Sequence, residues 1–274
     1  MENPSLHTWG NVMGYLDKKI AVVTGGGRGI GKAISIALAE QGATVAINYR
    51  RDKEAAEETM REILNAGGTA TVHQASNDVP AENFSMVQEI IETHGGIDIV
   101  VVNGGNASKG RSVVDTEAEE VWNLVATHAL GPHQLCRAFL PHMRSRGGGH
   151  VVFISSVATS GMSANGAPYN MAKAAMEALA LTLAKEERPH NIRVNIVAPG
   201  LVETDMGVRL ARAITGNREA GDLRFMDAAA PFGRVCQPED ISQAVLYFCS
   251  PQASYVTGQR IQIDGGGSNL RVGQ

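Results

Sequence analysis

The sequence predicts a single α/β domain, a doubly wound, seven-stranded parallel sheet with helices on both faces. Three observations predict it. From Lys19 onward, short β-branched runs alternate with longer segments of helical period, the order of strand, crossover helix and parallel strand. Runs such as 99–102 (IVVV) and 151–154 (VVFI) are apolar without interruption, which requires burial on both faces of a sheet. A glycine-rich turn stands between the first strand and the first helix, where a sheet of this kind opens its ligand crevice.

The expected strands are 20–24, 44–48, 69–74, 97–103, 150–156, 192–198 and 260–264. Between them, 32–42, 54–68 and 86–96 carry apolar residues at helical spacing and end in glycine, a usual helix stop. The stretch 117–146 is a long helix interrupted by Gly131 and Pro132. Proline lacks a backbone donor, so a bend is expected there. Residues 171–187 form a further helical run. The segment 205–232 breaks the alternation just after a strand's carboxyl end, as a lid over a ligand crevice would. Residues 1–15 are expected to be a flexible N-terminal extension and 16–274 the domain.

Of the 274 residues, 43% are hydrophobic and 19% charged, enough apolar mass for a packed core. A net charge of -4 gives no general attraction to nucleic acid or to an anionic membrane surface. An anionic ligand must be held locally. Cys136, Cys236 and Cys249 form no ligand or disulfide pattern. The first residues carry no signal-peptide core, and no run reaches the ~20 apolar residues of a membrane helix. A cytoplasmic protein with free thiols is expected.

The turn runs Thr24-Gly25-Gly26-Gly27-Arg28-Gly29-Ile30-Gly31. Glycines here let the backbone approach a pyrophosphate, whose charge the following helix N-terminus favours. The second strand ends in Asn48-Tyr49-Arg50-Arg51. An acidic residue at this tip would accept from a ribose 2′-hydroxyl; Arg50 or Arg51, with Arg28, suits a 2′-phosphate instead. NADP(H) is therefore expected, with NAD use left open, since these arginines also suit a solvated surface group.

Tyr169 and Lys173 stand one helical turn apart on one face of the run that follows. Ser156 ends the fifth strand, whose carboxyl end opens onto the crevice. With these motifs in place, residues 16–267 resemble the short-chain dehydrogenase/reductase family. The family's TGxxxGxG turn corresponds to Thr24 through Gly31, its Ser and YxxxK to Ser156, Tyr169 and Lys173, and its PG motif to Pro199 and Gly200. Val202 and Thr204 are similar to its nicotinamide-contacting pair, and 263–266 (IDGG) to its closing strand. The resemblance implies a Rossmann fold binding a nicotinamide dinucleotide through Gly25, Gly27, Arg28, Gly29, Ile30 and Gly31, with Tyr49, Arg50 and Arg51 at the adenosine ribose. It also implies a carbonyl or alcohol substrate and a homo-oligomer, dimer or tetramer, through helices near 117–144 and 169–188. In the mechanism it implies, Tyr169 exchanges the proton, Lys173 stabilises the phenolate and holds the nicotinamide ribose, and Ser156 donates to the substrate oxygen.

Departures from the pattern are specific. The family's NNAG stands here as Asn103-Gly104-Gly105-Asn106, so the strand-end amide is kept and the second is lost. Ser76 or Asn77 occupies the adenine-contacting position. The fourth family residue, an asparagine that supports a water beside the lysine, corresponds to His128, which suits either a proton-conducting residue titrating near neutrality or a buried structural histidine. Residues 48–67 and 233–266 look like 3-oxoacyl-thioester reductases. Arg209, Arg212, Arg218 and Arg224 in the lid suit a phosphopantetheine phosphate or a solvated helix face. An alcohol, polyol or steroid dehydrogenase is the alternative reading, and a non-catalytic nucleotide-binding scaffold the third.

Overall fold

The computed structural model describes residues 14–267; all but the last two residues of the expected N-terminal extension lie outside the described residues. The elements in order are β1 (Ile20–Val23), α1 (Gly29–Glu40), β2 (Thr44–Tyr49), α2 (Lys53–Asn65), β3 (Thr69–Gln74), α3 (Pro80–His94) and β4 (Ile99–Val102). There follow α4 (Ala118–Val125), α5 (Gly131–Ser145), β5 (Gly149–Ile154), α6 (Ala158–Gly161), α7 (Ala167–Glu186) and β6 (Ile192–Pro199). The last are α8 (Asp205–Thr215), α9 (Pro238–Cys249) and β7 (Arg260–Ile263). The seven expected strands are those observed, each within a few residues of its sequence bounds. Helix α9 was not read individually from the sequence. It opens with a reciprocal cap between Gln237 and Asp240, and Gln lies outside the residues that usually signal a helix start.

All strand pairs are parallel, in the order β3-β2-β1-β4-β5-β6-β7. The direction of winding reverses between β1 and β4, and the crevice opens at their carboxyl ends. Alternation along each strand divides the core in two. Val22, Val100, Val151 and Phe153 join Met86, Phe139, Met143 and Met176 of α3, α5 and α7 on one face. Val23, Val101, Val152 and Ile154 join Ile34, Leu38, Ile63, Val245 and Phe248 of α1, α2 and α9 on the other. Double-sided burial explains the uninterrupted apolar runs.

The break expected at Gly131 and Pro132 takes the form of a π-helical turn, Ala126–Leu130, between α4 and α5. Such turns widen a helix and re-aim its side chains. Gly131 has a reason of its own, because a Cβ there would stand 2.0 Å from the Asn77 carbonyl oxygen. The ends of α5 and α7 are clamped by Arg144, which donates Nε to the fully buried Glu187 carboxylate at 2.9 Å. The segment 205–232 folds around a small cluster of its own, Val208, Ala211, Leu223, Met226 and Val235.

Candidate active site

The glycine turn is dictated by its own backbone before any ligand is considered. Gly25 and Gly29 adopt φ of 61° and 52°, left-handed values that strain any side chain. A Cβ on Gly31 would lie 2.1 Å from the Gly25 carbonyl oxygen, and one on Gly27 2.7 Å from the Cα of Ala56. Arg28, the N-cap of α1, makes no side-chain cap, and the first turn, with Ile30, holds no acidic residue. The terminal N–H groups of α1 are left for an anion. A dinucleotide pyrophosphate fits this cradle.

Three polar residues brace it. Thr24 Oγ1 accepts from the N–H groups of Asn103 and Gly104, both at 2.9 Å. Asn103 Nδ2 donates to the carbonyls of Thr24 at 2.9 Å and Gly25 at 3.2 Å. Buried Asn48, which the sequence reading used only as a strand tip, accepts from the Gly25 N–H at 3.3 Å and donates to the Ala75 carbonyl at 3.0 Å. The signal available was a lone amide in an apolar strand.

At the tip of β2, Tyr49 is half-buried and Arg50 and Arg51 are exposed. Arg28 Nη1 lies 3.9 Å from Asp52 Oδ2, while Asp52 Oδ1 caps α2 by accepting from Ala55 N–H at 3.1 Å. The sequence reading passed over this carboxylate, which stands just beyond the tip and pairs with Arg28. At the adenine position neither side chain is idle. Asn77 Nδ2 donates to the Gly104 carbonyl at 3.2 Å, and the Ser76 hydroxyl donates to Asp78. Across the crevice, Pro199 ends β6 and accepts from Val157 N–H at 2.9 Å, Gly200 donates to the Ile263 carbonyl at 2.9 Å, and Val202 is buried. Thr204 caps α8 by accepting from Gly207 N–H at 3.0 Å, and its methyl would stand 3.2 Å from a Cβ on Gly29. The segment 205–232 therefore begins in contact range of the glycine turn.

Ser156 follows β5 and Tyr169 lies in the first turn of α7, so the two meet where the strand ends. Burial pushes the Tyr169 phenol up to about 12, with the nearby Ser156 hydroxyl pulling the other way. Ser156 Oγ also accepts from Ala158 N–H at 3.2 Å, so the strand-end cap and the contact to Tyr169 coexist. Lys173 is buried, with Nζ 5.8 Å from the Tyr169 ring centre and 2.7 Å from the Ile154 carbonyl. Burial drives its ammonium down to about 7, with Glu177 pulling the other way.

His128 projects from the π-helical turn and meets Tyr169 edge to face, ring centres 5.4 Å apart. Its Nε2 lies 2.8 Å from the Asn106 carbonyl, and its buried Nδ1 has no hydrogen-bond partner among the described residues. Burial, helped by Lys173, holds the imidazole down at about 3. At that value the ring is uncharged at neutral pH. One position of the altered Asn103-Gly104-Gly105-Asn106 segment, Gly105, has its explanation here. A Cβ on Gly105 would stand 2.2 Å from His128 Cε1, so the missing side chain makes room for a ring larger than asparagine.

Residues 25–268 match a family model described as enoyl-(acyl carrier protein) reductase. Human dehydrogenase/reductase SDR family member 4 is 35% identical over 252 residues, covering 92% of this chain and 88% of that protein. The 3alpha-hydroxysteroid dehydrogenase of Mediterraneibacter gnavus is 33% identical, covering 91% and 97% of the two chains. A solved 7 alpha-hydroxysteroid dehydrogenase, complexed with NADH and 7-oxo glycochenodeoxycholic acid, superposes with a TM-score of 0.85 at 30% identity, covering 96% and 99%. Among the described residues no helix is long and apolar enough to cross a membrane. Likeness of this extent over nearly the whole chain makes the protein a member of the short-chain dehydrogenase/reductase family, oxidoreductases that interconvert hydroxyl and carbonyl groups.

Proposed function

We propose that the protein is an NADPH-dependent reductase of the cytoplasm that converts a ketone, in the first instance a 3-oxoacyl thioester, to a hydroxyl. The observation that carries this reading is the meeting of Ser156, Tyr169 and Lys173 at the end of β5, across the crevice from the glycine turn. The nicotinamide, when bound, supplies the hydride. Tyr169 gives its phenolic proton to the carbonyl oxygen, and Ser156 donates a hydrogen bond as negative charge grows there. A phenol held near 12 is a reluctant donor at neutral pH, so the phenolate it leaves must be stabilised. The adjacent Lys173 ammonium does this, and its protons not taken by the Ile154 carbonyl are free for a ribose hydroxyl. His128, neutral, acts as a packing support for the tyrosine ring.

Arg28, Arg50 and Arg51 support NADPH as the cofactor, with Asp52 the competing charge. The lid of 205–232 closes over the substrate in this reading. Arg212 is engaged, donating Nε to the Ala220 carbonyl at 2.7 Å, while Arg209, Arg218 and Arg224 are exposed. The hydroxysteroid dehydrogenases among the relatives favour a second reading, an alcohol or steroid dehydrogenase using NAD. Exposed Trp122 and Met171 on α4 and α7 support assembly into a dimer or tetramer through these helices.

The test is NADPH oxidation by purified protein against 3-oxoacyl thioesters, simple ketones and oxo-steroids. Tyr169→Phe should keep NADPH binding and lose about 100-fold or more in turnover. Lys173→Ala should damage both, and Ser156→Ala chiefly turnover. Comparable turnover by folded Tyr169→Phe would refute the assignment. NADPH should bind more tightly than NADH, and replacing Arg50 and Arg51 by alanine should erase most of the difference. Tighter NADH binding by the unmodified protein would favour the second reading.

A further inference from the structure

Outside the residues already assigned, a dense polar cluster lies behind Ser156. Glu177 stands one turn beyond Lys173 on α7, with its side chain only 15% exposed. Its Oε1 accepts from Ser155 Oγ at 2.5 Å, Thr159 Oγ1 at 2.8 Å and Arg260 Nε at 2.9 Å. Arg260 opens β7, two strands from β5, and reaches across β6 to this site. Its Nη2 donates to the Ser156 carbonyl at 3.2 Å and to Thr159 Oγ1 at 2.9 Å. One guanidinium therefore holds the peptide of Ser156 and the carboxylate beside Lys173 together.

We propose that Glu177 and Arg260 form a positioning pair that fixes the Ser156 peptide for catalysis and sets an anionic counter-charge one helical turn beyond Lys173. The inference rests on the reductase reading above. Three observations carry it. A structural tie between β7 and α7 would need only the ion pair, yet Arg260 directs a further donor, beside that of Thr159, to the carbonyl of Ser156, whose hydroxyl lies near Tyr169. The planar fork makes both contacts from one side chain, which a lysine cannot do. The carboxylate is mostly buried, where a charge acts on its neighbours far more strongly than in water. The groups facing Lys173 are Tyr169 and Glu177 on its own helix, His128 from the π-helical turn and the Ile154 carbonyl from β5. Of these only Glu177 carries negative charge while Tyr169 is protonated, and it favours the charged ammonium.

The test uses the full chain and two independent readouts. In Arg260→Ala, amide hydrogen exchange over 155–161 should accelerate while β2 is unchanged, and kcat for ketone reduction should fall about 10-fold with KM moving less. Arg260→Lys, which keeps the charge and loses the fork, should show the same exchange and a low kcat. In Glu177→Gln the alkaline limb of the kcat profile, where Lys173 loses its proton, should move to lower pH by about half a unit or more. A merely structural residue would lower stability and leave that limb in place. Unchanged exchange over 155–161 together with kcat within twofold of the unmodified protein in Arg260→Ala would overturn the proposal, as would an unmoved limb in Glu177→Gln. If Arg260→Ala does not fold, Arg260→Lys decides by the same criteria. Should the unmodified protein reduce no carbonyl, the reductase reading fails, and the exchange measurement still decides whether the pair holds the Ser156 peptide.

Discussion

Gly105 and His128 make a matched pair whose energy can be worked from their contact. A methyl on residue 105 would stand 2.2 Å from His128 Cε1, 3.0 Å from Nδ1 and 3.2 Å from Nε2, whereas carbon atoms rest at about 3.5–4.0 Å. The overlap exceeds 1 Å by this comparison, roughly, and cannot be relieved by a rotamer swing. The ring is 1% exposed, is held to the Asn106 carbonyl at 2.8 Å and is backed by Tyr169. Overpacking a close-packed site costs about 1–3 kcal/mol. For a domain of this size each kcal/mol is worth about 2–4 °C in Tm, so Gly105→Ala should melt several degrees lower. It should also lose turnover, since the displaced ring pushes on Tyr169. Asparagine at 128 is smaller, so Gly105→Ala/His128→Asn should be more stable than Gly105→Ala alone, a coupling of opposite sign to the single cost. The assay is thermal melting followed by circular dichroism, with steady-state rates on whichever ketone the unmodified protein accepts. A Gly105→Ala protein that melts within a degree of the unmodified one, or a double variant no better than the single, would refute the reasoning.

Arg144→Ala should cost about 3–5 kcal/mol in a urea titration, because it strands the Glu187 carboxylate in the interior without its partner. Arg144→Lys should recover part of this, and a cost below 1 kcal/mol would count against the clamp. Stability should also fall in acid. His150 is pushed down to about 4, first by burial and then by Arg193 and Lys19, and His128 to about 3, both below the unfolded value of 6.5. The unfolded chain then binds the protons that the folded chain refuses, so their contribution is fully present above pH 6.5 and is lost as pH drops toward the folded values. Each histidine removes about 2 kcal/mol between pH 7 and pH 5, and His150→Asn should flatten the decline; a urea midpoint unchanged over that range would exclude it. Finally, Trp122→Lys should shift the sedimentation of the protein toward the monomer, and a monomeric unmodified protein would exclude the oligomer.

What the sequence disclosed and what it withheld divide along a physical line. The strands were legible because double-sided burial leaves runs of valine and isoleucine that no other environment produces so consistently, as in 99–102 and 151–154. The crevice was legible because the glycine turn, Ser156 and the Tyr169–Lys173 pair each carry their chemistry in local spacing. Contacts between residues distant in the chain were not. Nothing in the sequence links Gly105 to His128; the lost amide is its neighbour Gly104. Arg260 lies far along the chain from Ser156, so its hydrogen bond to that carbonyl could not be inferred from any window. Asp52 was missed for a different reason. It lies one residue beyond the Asn48-Tyr49-Arg50-Arg51 tip, and its approach to Arg28 is set by the fold.

The same division bears on how the chemistry should be probed. In the proposed reaction the residues recognisable by local motif, Tyr169 and Lys173, touch the reacting atoms, so replacing them reports on the proton and the cofactor directly. Residues recognisable only in three dimensions, Gly105, Glu177 and Arg260, act in this proposal by holding others in place. Their replacement should therefore separate into effects on geometry, read by exchange and melting, and effects on charge, read by the pH profile. Lys173 is where the two meet. Its charge near neutrality is set by burial against Glu177, and its direction by the Ile154 carbonyl at 2.7 Å. A variant that moves the alkaline limb without changing exchange over 155–161 acts on the charge alone. One that changes exchange and leaves the limb in place acts on the peptide alone. Glu177→Gln should chiefly move the limb, because it removes a charge and keeps a hydrogen-bonding group of the same shape, while Arg260→Ala should chiefly change exchange, because it leaves Thr159 Oγ1, at 2.9 Å, to hold the Ser156 carbonyl without the guanidinium.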